Sequence, residues 1–154
     1  MFGHPLHPIA VHLPIVLLVG GVLVDVASVW RCAWRKAGFF HLVLGTVGAL
    51  TALLTGRLDA PSVPSGGAST VLQLHTVLAI LATLVFGLMA AGRVYFRIRH
   101  ARLRAPGDPE ANVPAGPVTA YFALAAVGVA LLAATSYTGG DLVYREGLGA
   151  IAGR

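Results

Sequence analysis

Residues Val71 to Tyr95 read VLQLHTVLAILATLVFGLMAAGRVY, an apolar run longer than the roughly 20 helical residues that cross a bilayer. Three further runs of this kind lie on either side of it: Ile9 to Trp30, Ala37 to Gly56 and Val118 to Thr138. Inside lipid each backbone N–H and C=O must find its partner within the segment, so these runs are helices. None alternates apolar and polar residues as a barrel strand does. The whole chain agrees, with 56% hydrophobic and 11% charged residues, against about 25% charged in soluble domains. Mean hydropathy is +0.79. The expected fold is all-α, an integral membrane four-helix bundle forming a single domain over residues 1–154.

Orientation follows from the basic residues. Arg31, Arg35 and Lys36 lie between the first two runs, and Arg93, Arg97, Arg99, Arg102 and Arg104 close the third and enter the next loop. Arg57, Arg145 and Arg154 fall on the other side, so eight of the eleven Lys and Arg residues share one side. The excess of positive charge on cytoplasmic loops places that side inside and both termini outside. A net charge of +5 and a pI near 10.2 raise the question of nucleic acid. No binding module accompanies the charge, which reads as a topology signal helped by anionic lipid.

The N-terminus has no basic residue before its apolar run and no small-x-small cleavage site after it, so the first span is expected to be retained. Cys32 is the only cysteine and can form no intramolecular disulfide. Two stretches break the pattern: Asp59 to Thr70 (DAPSVPSGGAST) and the Pro/Gly-rich Ala105 to Pro117 (APGDPEANVPAGP), both expected to be irregular loops.

Laying the polar residues out by depth, at 1.5 Å of rise per residue, brings them to two levels. His12 and His75 lie at nearly the same level near the outer ends of the first and third spans. His4 and His7 precede them in GHPLHP, where the prolines predict an extended or turn-like segment over the outer mouth. Arg57 and Asp59 close the second span there, and Asp141, Tyr144, Arg145 and Glu146 follow the fourth. On the inner side Asp25 and His41 share a level and are expected to pair across the first two helices. Ionisable groups inside a membrane helix are costly and face the bundle interior or water. A hydrogen-bonded pair that only fixes helix packing would account for Asp25 and His41, and interfacial anchoring would account for the outer histidines.

The opening HPLHPIAVHLPIVLL with Asp25, the GRLD after the second span, the LQLH early in the third and the ending SYTGGDLVYREGLGA resemble one family over nearly the whole chain. It is the bacterial membrane family called domain of unknown function 2231. The resemblance implies a four-helix membrane domain in a bacterial inner membrane. Some relatives carry it beside Rieske iron–sulfur or cytochrome c domains, which implies electron transfer by analogy. This sequence has neither a Cys-x-x-Cys-His nor a cysteine pair for a cluster, so a redox centre would come from the helices or from a Rieske- or cytochrome c-type partner.

Two functions follow. The first is a b-type haem between helices, with His12 and His75 as axial imidazoles and Arg57 and Arg145 beside the propionates. The second is a zinc, copper or iron ion, or a proton-linked site, at the outer mouth, drawing on His4, His7, His12, His75, Asp59 and Asp141. A non-catalytic structural membrane subunit remains a third outcome. No nucleophile motif, phosphate loop or zinc-protease helix points to an enzyme.

Overall fold

The computed structural model describes residues 7–59, 67–103 and 118–145. The described residues form α1 (His7–Ala10), α2 (His12–Ala27), a short 3-10 turn over Cys32–Trp34, α3 (Arg35–Asp59), α4 (Gly67–Leu103) and α5 (Val118–Tyr144), with no strand among them. The fold is all-α, as the sequence implies. The stretches long and apolar enough to cross a membrane are Cys32–Leu58, which runs from the 3-10 turn along α3, Thr70–Arg99 in α4 and Val118–Tyr144 in α5. At 16 residues α2 is shorter, and reaches comparable length only together with α1.

The break between α1 and α2 has a simple cause. Pro14 has no N–H, so the carbonyl of Ala10 gets no helical partner. Val11 nevertheless keeps helical angles, with φ −76° and ψ −25°, and donates to His7 O over 3.1 Å. The chain therefore coils from His7 onward instead of running extended as its prolines suggest. Pro8 falls in the first turn, where a missing N–H costs nothing.

The other helices outrun their apolar runs. α5 continues through Gly139 and Gly140 to Tyr144, so the SYTGGDLVY segment extends the helix rather than following it. Of the expected loop Asp59 to Thr70, Asp59 belongs to α3 and Gly67 to Thr70 to α4; residues 60–66, and with them the whole expected loop Ala105 to Pro117, lie outside the described residues.

α2 packs along α3 and α4 along α5; α3 joins the two hairpins, and α2 barely touches α5. Leu18, Leu42, Phe86, Met89 and Ala125 form the buried core. The facing stripe of α2 is Pro14, Leu18, Gly21 and Asp25, the i, i+4, i+7, i+11 spacing of one helical face. Leu13, Val16 and Leu23 on α2, Leu44 and Val47 on α3, and Leu84 and Leu88 on α4 point outward, as a lipid-facing surface requires. Hydroxyls in the interior bond back to their own helices: Thr46 to Leu42 O over 2.7 Å and Thr83 to Ala79 O over 2.8 Å, which keeps no donor idle in an apolar setting.

α4 and α5 approach closely because Gly128 leaves room for the Phe86 ring. A Cβ at position 128 would sit 2.8 Å from Phe86 Cζ, and Phe86 is 0% exposed. Gly128→Ala should therefore cost about 1–3 kcal/mol by overpacking, read as an earlier midpoint when SDS is titrated into mixed micelles. An unchanged midpoint would mean that the ring can slide aside freely.

Candidate functional site

Two polar clusters lie inside the bundle, one near each end. At the first, α1 carries His7 against α3. His7 Nδ1 is 2.8 Å from the carbonyl oxygen of Ala52. A carbonyl only accepts, so Nδ1 is the donor. Across from it His75, on α4, sets Nδ1 3.0 Å from Thr135 O on α5 and 3.2 Å from Thr138 Oγ1. Thr138 directs its own hydroxyl hydrogen to carbonyls of α5, Ala134 at 3.1 Å and Thr135 at 3.0 Å. Its oxygen therefore accepts from His75.

The two imidazoles face each other with centroids 5.9 Å apart and planes at 88°. Each is seated on a glycine of the helix that anchors it. A Cβ at Gly56 would lie 3.1 Å from His7 Cε1, and one at Gly139 3.2 Å from His75 Cε1. With Nδ1 donating, a neutral ring carries its lone pair on Nε2. A backbone carbonyl behind Nδ1 is the usual outer support of a metal-ligating histidine, fixing its tautomer and orientation.

His75 thus stands where its depth suggests, but its counterpart is His7 and not His12. His12 is exposed, two residues before the buried Pro14 and so about 200° round the helix from the facing stripe. His7 is seven residues before Pro14, nearly in line with that stripe. The heptad-like spacing His7, Pro14, Leu18, Gly21, Asp25 is the signal in the sequence that places His7 on this face; depth without rotation pairs His75 with His12 instead.

The other expected residues of this end are spread out. Arg57 is exposed. Arg145 Nε sits 3.4 Å from Asp141 Oδ1 in an i, i+4 ion pair, and Tyr144 is 89% exposed. Both arginines are therefore at the surface of this end, one of them already engaged. His4, Glu146 and the side chain of Asp59 lie outside the described residues. Among the described residues no three His, Cys, Asp or Glu side chains gather into a metal-holding group. Of the expected ion-binding set, the described residues bring together His7 and His75.

The second cluster corrects the Asp25–His41 pairing. Asp25 is 3% exposed and accepts from Arg93 Nη1 at 2.9 Å on Oδ1 and 2.7 Å on Oδ2. Tyr121 donates its hydroxyl to Asp25 Oδ2. Arg93 also reaches Tyr121 Oη at 3.1 Å and Arg35 O at 3.4 Å, and its guanidinium lies 5.4 Å over the Tyr121 ring. His41 instead bonds Ala37 O of its own helix at 2.8 Å. It packs on Gly20 and Gly21, a turn away from Asp25. One carboxylate, one guanidinium and one phenol thus tie α2, α4 and α5 together, with charges cancelling. Arg93 had a clear reading as a topology residue, which hid its second role.

Long apolar helices with outward-facing leucine and valine, and ionisable groups paired within the bundle, define a small integral membrane protein of the four-helix kind. Its particular identity is a family one: the chain belongs to the family described as predicted membrane protein (DUF2231), whose model matches residues 3–152. No curated protein and no solved structure matches the chain.

Proposed function

We propose that the protein is a membrane electron carrier in which His7 and His75 hold a b-type haem. The observation that carries this reading is the pair of imidazoles on separate elements, centroids 5.9 Å apart, each with Nδ1 spent on a backbone carbonyl. Metal–imidazole bonds of about 2.0–2.1 Å put two rings sharing one metal roughly 5–6.5 Å apart, centre to centre, according to the angle between the two bonds. Two imidazoles suit a group that brings its remaining ligands with it. A bare ion takes three or four protein ligands, and the described residues gather no such set.

Bound haem would supply one-electron chemistry. The chain's own contribution is positioning. Ala52 and Thr135 fix the two tautomers and raise the basicity of Nε2, Thr138 steadies His75, and Gly56 and Gly139 let the rings sit against the helices. Protein purified from haem-replete cells should show a Soret band that shifts on reduction, with iron near one per chain. Colourless protein holding zinc or copper would overturn the haem reading in favour of an ion site, and metal-free protein would favour a structural subunit.

We further infer that the histidine end faces outward from a bacterial inner membrane, toward a Rieske- or cytochrome c-type partner. The support is the uneven split of basic residues. Cys32 is exposed at the opposite end and is the only cysteine, so the unaltered protein carries its own probe. A membrane-impermeant maleimide should leave Cys32 unlabelled in intact spheroplasts and label it after permeabilisation. Tyr144→Cys in a Cys32→Ser background should label without permeabilisation. The reverse pattern would invert the topology.

A further inference from the structure

The seam between α2 and α5 is closed from within and open from without. On the inside, Tyr121 and Asp25 join across it. On the outside, Val22 and Val26 of α2 and Val29 of the turn after it line, with Phe122, Ala125 and Ala126 of α5, a groove of about 360 Å3 whose lining is wholly apolar. Val22, Val26 and Val29 on one wall and Ala125 and Ala126 beside Phe122 on the other leave the furrow between them. Val29 is seven positions after Val22, so the groove runs about 10 Å along α2 and the turn that follows it.

The end of the groove is distinctive. Immediately beyond Val29 come Trp30, 77% exposed, and Trp34, 46% exposed, residues of the kind that sit at headgroup level. Arg31, Arg35 and Lys36 are exposed between and after them. An apolar furrow thus opens into a membrane interface bearing three adjacent cations. We propose that this groove holds an acyl chain of an anionic phospholipid, with the lipid phosphate at Arg31, Arg35 and Lys36. Charge argues against a second copy of the chain as occupant. A two-fold contact on this seam is self-complementary and would bring the same three cations of both copies together.

The two tryptophans, the only ones in the chain, report directly on this place. The full chain is reconstituted in phosphatidylcholine bilayers carrying either brominated phosphatidylglycerol or brominated phosphatidylcholine at equal mole fraction. Tryptophan quenching should show about a 3- to 10-fold preference for the anionic lipid. The triple variant Arg31→Gln/Arg35→Gln/Lys36→Gln should bring that ratio near unity. Ala126→Leu, which fills the groove and leaves the charges in place, should lower it as well. Equal quenching by both lipids in the unaltered protein overturns the proposal. So does a preference that survives Ala126→Leu undiminished, because charge alone would then explain it. Weak quenching by both lipids, together with a cross-linked dimer through Val26→Cys, would assign the groove to a second copy instead.

Discussion

Arg93→Ala is expected to cost the folded protein about 3–5 kcal/mol, the scale of losing one partner of a buried ion pair. The loss is not the value of one contact. It arises because Asp25, 3% exposed, keeps its charge while losing the guanidinium that approaches both of its oxygens. Adding Asp25→Asn to Arg93→Ala should therefore return part of the stability, since the stranded charge is then gone. Tyr121→Phe removes one hydroxyl donor and should cost less, about 1.5–3 kcal/mol for a hydrogen bond to a charged group. His41→Gln should add to Asp25→Asn without coupling, as residues without shared partners do. These values can be read from SDS unfolding in mixed micelles. If Arg93→Ala and Asp25→Asn were strictly additive, the ion pair would not exist in the membrane.

The second large effect concerns the histidines. On the haem reading, His7→Ala and His75→Ala should each abolish most haem binding, because either change removes one of the two imidazoles that would hold the group. His12→Ala should retain it, since His12 is exposed and turned away from the pair. Thr138→Val is a milder test: it removes one acceptor for His75 Nδ1 but leaves Thr135 O in place, so haem should stay bound with an altered reduction potential. Haem retained in His7→Ala and lost in His12→Ala would reverse the assignment of the ligands. The measurement is the pyridine haemochrome content per chain in equally expressed variants.

How far the sequence could be read depended on which physical constraint acted. Helix identity was legible because lipid permits nothing else for a run such as Val71 to Tyr95. Helix ends were less so, since hydropathy marks where apolar residues stop and not where hydrogen bonding stops; α4 and α5 both continue beyond that point. In the first helix, two prolines suggested a break before His12, yet the coil resumes at His7 because Pro8 falls in the first turn. Depth along the axis was also legible, and it put His75 near the end of the bundle where His7 lies. Rotation about the axis was not used, and rotation decided between His7 and His12. The Asp25–Arg93–Tyr121 cluster needed knowledge of which helices are neighbours, and a one-dimensional pattern does not contain that. Asp25 was recognisable as a residue in need of a partner, and the partner came from helices far along the chain.

That distance sets a timetable for biogenesis. Asp25 precedes Arg93 by 68 residues and Tyr121 by 96. At roughly 5–20 residues per second, the ribosome takes roughly 3–14 s to deliver the arginine after the aspartate, and longer to deliver the phenol. Throughout that interval the first helix carries, in its last turn, a carboxylate whose cost lies below the ~2.5–3.5 kcal/mol of a helix-centre position, offset by the leucines and valines around it. The first helix is thus the least secure in the membrane when it is newest. Its final seat is completed from the far end of the chain, so a nascent protein truncated before α5 lacks the group that closes the seam.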